Sequence, residues 1–253
     1  MKKSLFKTLI LLVLPILAHP TTAQTQKPTP TATINLHFAY AFQIPAANIS
    51  QLYGPNSNIA IQAEYLHKSG WFFGVGSDFI TGNDLKIDVL RNLRTTQGYI
   101  LGDDNDITDV TQSERGLYIS AYVGKLLRFK ETKKSTQGIR LAFGAGFLQH
   151  QIKLTDNRGN AAPLAGLYAN GYDRLTNGVG LNQFIGYQYL SANKTINFLV
   201  GIDITEGFTQ NRRAFNFDNM QKDTAPHFDL LLGLRAAWIL PIYSFLKATE
   251  IED

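Results

Sequence analysis

From residue 33 to about residue 243 the chain repeatedly alternates apolar and polar side chains, the period of an extended strand with two unlike faces. Phe228-Asp229-Leu230-Leu231-Leu232-Gly233-Leu234-Arg235-Ala236-Ala237-Trp238 shows the pattern most clearly, with Asp229, Gly233 and Arg235 between apolar positions. Eight such segments are read, near 33–43, 58–68, 71–81, 117–129, 139–152, 179–190, 196–208 and 228–243. The sixth is the weakest, with Leu181, Ile185, Tyr187 and Tyr189 on its better apolar face. A membrane strand needs roughly 9–11 residues when tilted, whereas soluble strands run to about 5–6. No pattern of partner helices or of a second sheet is visible to cover the apolar faces.

The links alternate too. Ser69-Gly70 and Ala192-Asn193 are tight turns, and the charged link 130–137 is modest. The links near 44–57, 82–116, 153–178 and 210–226 are long. Short periplasmic turns and long outer loops mark outer-membrane barrels. The expected fold is therefore all-β: an eight-stranded, antiparallel, up-and-down transmembrane barrel over 33–245, with four long outer loops and both termini periplasmic.

Eight strands leave an interior that side chains can fill. Glu64, Asp78, Arg140, Asp203, Asp229 and Arg235 fall on the inward set, with Phe72, Tyr118, Tyr122 and Leu231 beside them. Buried charges need partners, so a carboxylate–arginine network closing the lumen is expected rather than an open pore or an ion path. Trp71, Tyr65, Tyr187, Tyr189, Trp238 and Tyr243 fit interfacial aromatic girdles.

The ends modify the charge picture. Lys2, Lys3 and Lys7, an apolar run over 8–18 and the small residues Thr21-Thr22-Ala23 read as a signal peptide over 1–23. A Thr- and Pro-rich lead-in occupies 24–32, and a polar tail 246–253. The whole chain carries 24 Lys+Arg against 20 Asp+Glu, and three of those lysines belong to the leader. Little basic excess is left, so nucleic acid is not an expected partner. With no cysteine, disulfides, thiol catalysis and thiolate metal sites are excluded.

Candidate chemistry is sparse. His67 and Ser69 adjoin in a turn on the periplasmic side; His37 and His150 point inward, where neighbouring carboxylates could satisfy them, and His227 opens the last strand. No Ser–His–acid set converges on one rim, so neither catalytic nor cofactor-binding residues are assigned. Asp103-Asp104-Asn105-Asp106 with Asp109 gathers oxygens but lacks the central Gly and distal Glu of a calcium loop. It reads as a solvated acidic loop, with no metal assigned. Arg212 and Arg213, followed by Phe215 and Phe217, are candidates for contact with lipid phosphate or a partner, against ordinary loop anchoring. Tyr172 and Arg174, in the 168–177 segment, are read as a partner contact or a loop clasp.

The segment 138–150 (GIRLAFGAGFLQH), the Gly171–Gly178 stretch, Gly207-Phe208-Thr209-Gln210 and Trp238-Ile239-Leu240-Pro241-Ile242-Tyr243 resemble a family of Bacteroidota outer-membrane barrel proteins. The likeness runs through most of the mature chain, and Gln24 after the signal cut resembles exported proteins of that phylum. It implies a location and an architecture but brings no catalytic residues. Tyr243 or Phe245 would stand in for the terminal assembly aromatic, since the chain continues to Asp253. The expected function is a non-enzymatic barrel, a subunit or accessory of an outer-membrane secretion, uptake or barrel-assembly complex. Its expected partners are outer-membrane lipid and another outer-membrane protein. The alternatives are a free-standing structural or adhesive surface protein and, less favoured, a lipid-modifying enzyme.

Overall fold

In the computed structural model, residues 32–129, 135–161, 164, 166–191 and 196–242 are described. The signal peptide, nearly all of the lead-in, the links at 130–134 and 192–195, the polar tail, Tyr243 and Phe245 lie outside them.

Eight long strands form one closed antiparallel barrel: β1 (Thr33–Ala47), β2 (Asn56–Leu66), β3 (Trp71–Gly82), β4 (Val110–Arg128), β5 (Ser135–Asp156), β6 (Thr176–Ser191), β7 (Asn197–Asn211) and β8 (Pro226–Ile242). Each strand pairs with its neighbours in sequence, and β8 returns to β1. All eight expected strands are present, but several are longer than the alternation indicates. β4 begins at Val110 and β5 runs to Asp156, so parts of two long links are paired strand. The reason is local: above the apolar belt both faces of these strands meet polar or loop surroundings, and the two-sided pattern fades although the ladder continues. A two-stranded ribbon, Ile100–Leu101 with Ile107–Thr108, adds to the second loop.

The register fixes the barrel's geometry. From Leu36 the pairings run through Ala63, Val75, Ala121, Ala145, Leu181, Glu206 and Leu230 and return to β1 at Ala46, ten residues along. That displacement tilts the strands and holds the lumen at a width side chains can fill.

The polarity is inverted relative to a soluble protein. Ile59, Ile61, Phe73, Val75, Phe143, Val200 and Leu234 are among about thirty large apolar strand residues exposed on the outer wall, and their removal from water is worth roughly 1.5–3 kcal/mol each. Left in water, they would forfeit more than the ~5–15 kcal/mol that keeps a domain folded. The alternate positions, Asn35, His37, Glu64, Asp78, Arg140, Gln188 and Asp203, are buried in the lumen. At the short-turn end Tyr65 packs on Phe73 (ring centroids 5.2 Å), Tyr189 on Phe198 (5.5 Å), and Lys125 lies 4.8 Å from the Trp71 ring centroid. The β2–β3 turn is tight because Gly70, at φ +87°, donates its N–H to His67 O, and a Cβ there would come within 2.6 Å of Leu126 O.

Candidate functional site

The lumen is filled in three tiers. Nearest the short turns, Arg140 pairs with both oxygens of Glu64 and donates to Gln188 Oε1 at 2.8 Å. Its guanidinium lies 3.6 Å from the Phe72 ring centroid, and His37 Nε2 is 3.7 Å from Glu64 Oε1. In the middle tier Arg235 bridges Asp78 (2.5 Å) and Asp203 (2.6 Å), while Asn182 Nδ2 donates to Asp203 Oδ1 at 2.7 Å. In the third tier, towards the long loops, no arginine pairs with the carboxylate among the described residues. Asp229 accepts from Thr209 Oγ1 at 2.5 Å and lies 3.2 Å from His150 Nε2. The six residues assigned to one lumen network thus fall into separate groups: Glu64 with Arg140, Asp78 and Asp203 with Arg235, and Asp229 with His150 and Thr209. A carboxylate–arginine network is corrected at Asp229, because β5 brings an imidazole rather than a guanidinium to that level. The sequence places His150 inward, where a neighbouring carboxylate could satisfy it; that this carboxylate is Asp229 follows from the β5-to-β8 geometry.

Above the third tier the four long loops fold over the barrel mouth. Ile49, Tyr53, Val89, Leu90, Ile100 and Tyr172 join Ile80, Tyr118, Leu148, Ile152 and Leu231 of the strands in one buried apolar cluster. Loop-to-loop bonds close the cap. Lys86 N–H donates to Leu52 O (2.9 Å), Arg91 Nε to Asp218 O (3.0 Å), and Asn160 Nδ2 to Asp104 Oδ1 (3.0 Å). Gly171 lies against Phe217, whose ring a Cβ there would meet at 2.1 Å, and Phe217 N–H donates to Gly171 O at 2.8 Å.

Of the residues proposed as partner or lipid contacts, Arg213, Arg174 and Tyr172 are used inside this cap, whereas Arg212 stays exposed beside β6. Arg213 pairs with Asp173, and Arg174 with Asp218 at 2.5 Å. Arg212 Nε donates to Asn177 Oδ1 at 2.7 Å. Tyr172 is buried edge-on against Phe217, with centroids 5.4 Å apart. Of the two readings weighed for the 168–177 segment, the geometry is that of a clasp. Asp173 raises the Arg213 pKa further through its bonds and charge, against a smaller opposing effect of burial. Burial pushes the Asp88 carboxyl up, but bonds from Arg94, Gln112 and the Leu90 N–H together outweigh it and hold the group below its ordinary value. In the acidic loop Asp103, Asp104, Asn105 and Asp106 are exposed, and Asn157 holds Asp109 at 2.8 Å.

One small cavity of about 110 Å³ opens where cap and barrel meet, lined by Asn48, Ile49, His150, Arg174, His227 and Asp229 among others. His227 Nε2 lies 3.2 Å from Asp223 Oδ1. The cavity brings histidines and carboxylates together, but no serine lines it, so the acyl-transfer triad sought in the sequence is not assembled there. His67 and Ser69 bond each other (Nδ1 to Oγ, 2.7 Å) within their own turn at the opposite end.

No protein-family model matches this chain, and no curated protein does. Solved structures that match include Neisserial surface protein A, at 13% identity and a TM-score of 0.39, covering 83% of this chain and 97% of that one. The attachment invasion locus protein Ail of Yersinia pestis matches in two structures. Its complex with the heparin analogue sucrose octasulfate gives 8% identity and a TM-score of 0.41, and the structure without it 9% and 0.34; each covers 83% of this chain and 99% of that one.

Proposed function

We propose that this protein is a plugged outer-membrane barrel that works by binding, as a subunit or accessory of an outer-membrane complex, and neither conducts solute nor turns over a substrate. The inverted polarity carries the reading: an apolar wall around a lumen filled by Arg140–Glu64 and Asp78–Arg235–Asp203, under a folded cap. A lipid bilayer is the solvent that such a wall requires. The ion pairs obstruct the path that a channel needs. In this reading the long loops are extracellular, both termini periplasmic, and the resemblance to Bacteroidota barrels marks the lineage.

The test has two arms. Purified barrel in planar bilayers is expected to give no unitary conductance; steady channels would sink the plugged reading. Extraction in mild detergent from the native membrane is expected to bring down a stoichiometric membrane protein. Recovery as a monomer, with loop deletions that impair surface attachment, would favour the free-standing adhesive alternative, which the ordered cap also suits.

A further inference from the structure

The outer wall is not uniform. On the β2–β5 side its outward row is made of Ala63, Val75, Ala121 and Ala145, a smooth apolar strip. On the β6–β7 side two long polar side chains break the apolar surface. Outward Gln183 stands between Leu181 and Ile185 on β6 and opposite Phe143 and Ile204 on the neighbouring strands. Outward Glu206 stands between Ile204 and Phe208 on β7, with Leu181 and Leu230 on either side. Above it Phe208 and Phe228 pack at 5.5 Å between centroids, so apolar surface continues beyond the carboxylate. Gln183 Nε2 reaches Glu206 Oε1 at 3.5 Å, the long end of hydrogen bonding. Among the described residues no Lys, Arg or His forms an ion pair with Glu206.

A carboxylate on a lipid-facing wall is costly, and acyl chains offer it neither charge nor donor. The lumen shows that this chain gives each of its buried carboxylates a partner: Glu64, Asp78 and Asp203 meet an arginine, Asp229 meets His150, and Glu114 meets the Asn56 amide. Two strands from Gln183, the same side of the wall carries a groove of about 470 Å³, where outward Ala236 lies between Tyr40 and Val200 and is walled by Phe38, Phe198 and Trp238. A polar couple and an aromatic-walled notch thus share one side of the barrel; on the opposite side the outward polar couple, Arg115 with Thr81, lies beside the loop end of β3 and already contains its own cation.

We infer that the β6–β1 face is a lateral docking surface for a second membrane-embedded protein, one that brings an Arg or Lys to Glu206 and Gln183 and seats an apolar side chain in the notch at Ala236. The inference rests on the binding reading above and gives it a location. Charge complementarity selects the occupant: a second copy docked through the same face would oppose carboxylate to carboxylate, and lipid would leave Glu206 unpaired.

The experiment uses the full chain in its native outer membrane. A photocrosslinking benzoylphenylalanine is placed at position 183 and, on the smooth side, at position 121. Position 183 is expected to give one crosslinked membrane protein whose linked segment, identified by mass spectrometry, contains a basic residue; position 121 is expected to give at least tenfold less. Gln183→Leu with Glu206→Leu is expected to lower recovery of that protein at least tenfold in mild detergent, with heat-modifiable migration unchanged. Glu206→Gln, which keeps the shape, is expected to cause an intermediate loss. Glu206→Lys is expected to abolish recovery, and reversing the partner's basic residue to Glu to restore it. A partner recovered in full with the double Leu variant would overturn this surface while leaving the binding reading intact. Crosslinks only to lipid or to a second copy would also overturn it. If the unaltered chain brings down no stoichiometric protein, the binding reading fails together with this one.

Discussion

The lumen and the cap solve the same problem, filling space inside a closed surface, with opposite chemistry. The lumen's inner tiers are held by Arg140 with Glu64 and by Arg235 with Asp78 and Asp203, all buried. The cap is held by an apolar cluster of Ile49, Tyr53, Val89, Leu90, Ile100 and Tyr172, laced by half-buried pairs such as Arg213–Asp173. A buried ion pair is rigid in position but severe when one partner is lost. An apolar cluster yields more gradually and more locally. The barrel interior therefore acts as a set of pins, and the cap as a small folded domain resting on them.

The sharpest way to break this comparison is to remove a pin. Arg235→Leu strands Asp78 and Asp203 without a cation and is expected to cost about 3–5 kcal/mol, read as a lowered midpoint of heat-modifiable migration and of urea unfolding. Combining it with Asp78→Asn and Asp203→Asn is expected to restore most of that loss. Tyr172→Ala, next in size, removes a buried aromatic from the cap and is expected to cost about 3 kcal/mol there. The readout is protease sensitivity of the 157–175 and 212–225 loops, with the barrel's own transition nearly unmoved. If Tyr172→Ala and Arg235→Leu lower the same transition equally, cap and lumen are one cooperative unit and the distinction falls. Arg213→Ala, which unpairs a half-buried Asp173, is expected to cost about 1 kcal/mol, seen as faster amide exchange around 171–175.

The smallest effect is pH-dependent. Asp88 has its folded pKa below its ordinary value, so its contribution is present above the unfolded carboxyl range and is lost as pH falls through the folded value, below about pH 3.9. Exchange at 86–94 is expected to rise in that acid window for the unaltered chain. The rise is expected to be smaller in Asp88→Asn, which keeps the Gln112 contact but lacks the charge facing Arg94; an equal rise in both would place the sensitive group elsewhere.

These regions differed in legibility for the same physical reason. The barrel wall and lumen alternate with period two, so Glu64, Asp78, Arg140 and Asp203 could be placed inside from spacing alone. The sixth strand read as weak because outward Gln183 interrupts its apolar face and Phe184 sits inside; that irregularity, now seen as surface chemistry, looked like noise. The cap obeys no period. Leu85, Ile87, Val89, Leu90 and Leu93 are an apolar run within a link read only as loop, and they were the available sign that the loop folds on itself. The clasp of Arg174 with Asp218 joins residues far apart in sequence, and no local pattern announces such a pair.

The β1–β8 seam has a consequence for how the chain reaches this state. Ile34 through Ala47 pair with Ile242 back to Asp229, so the first and last strands zip along nearly their whole length. This contact spans the greatest sequence separation in the barrel, and it closes the largest loop the domain can form. Until β8 has arrived, β1 presents an unpaired edge in a medium with no water to satisfy it. Closure of the barrel therefore waits on the arrival of β8. A chain truncated within β8 would fail as an open sheet and would not persist as a slightly weaker barrel.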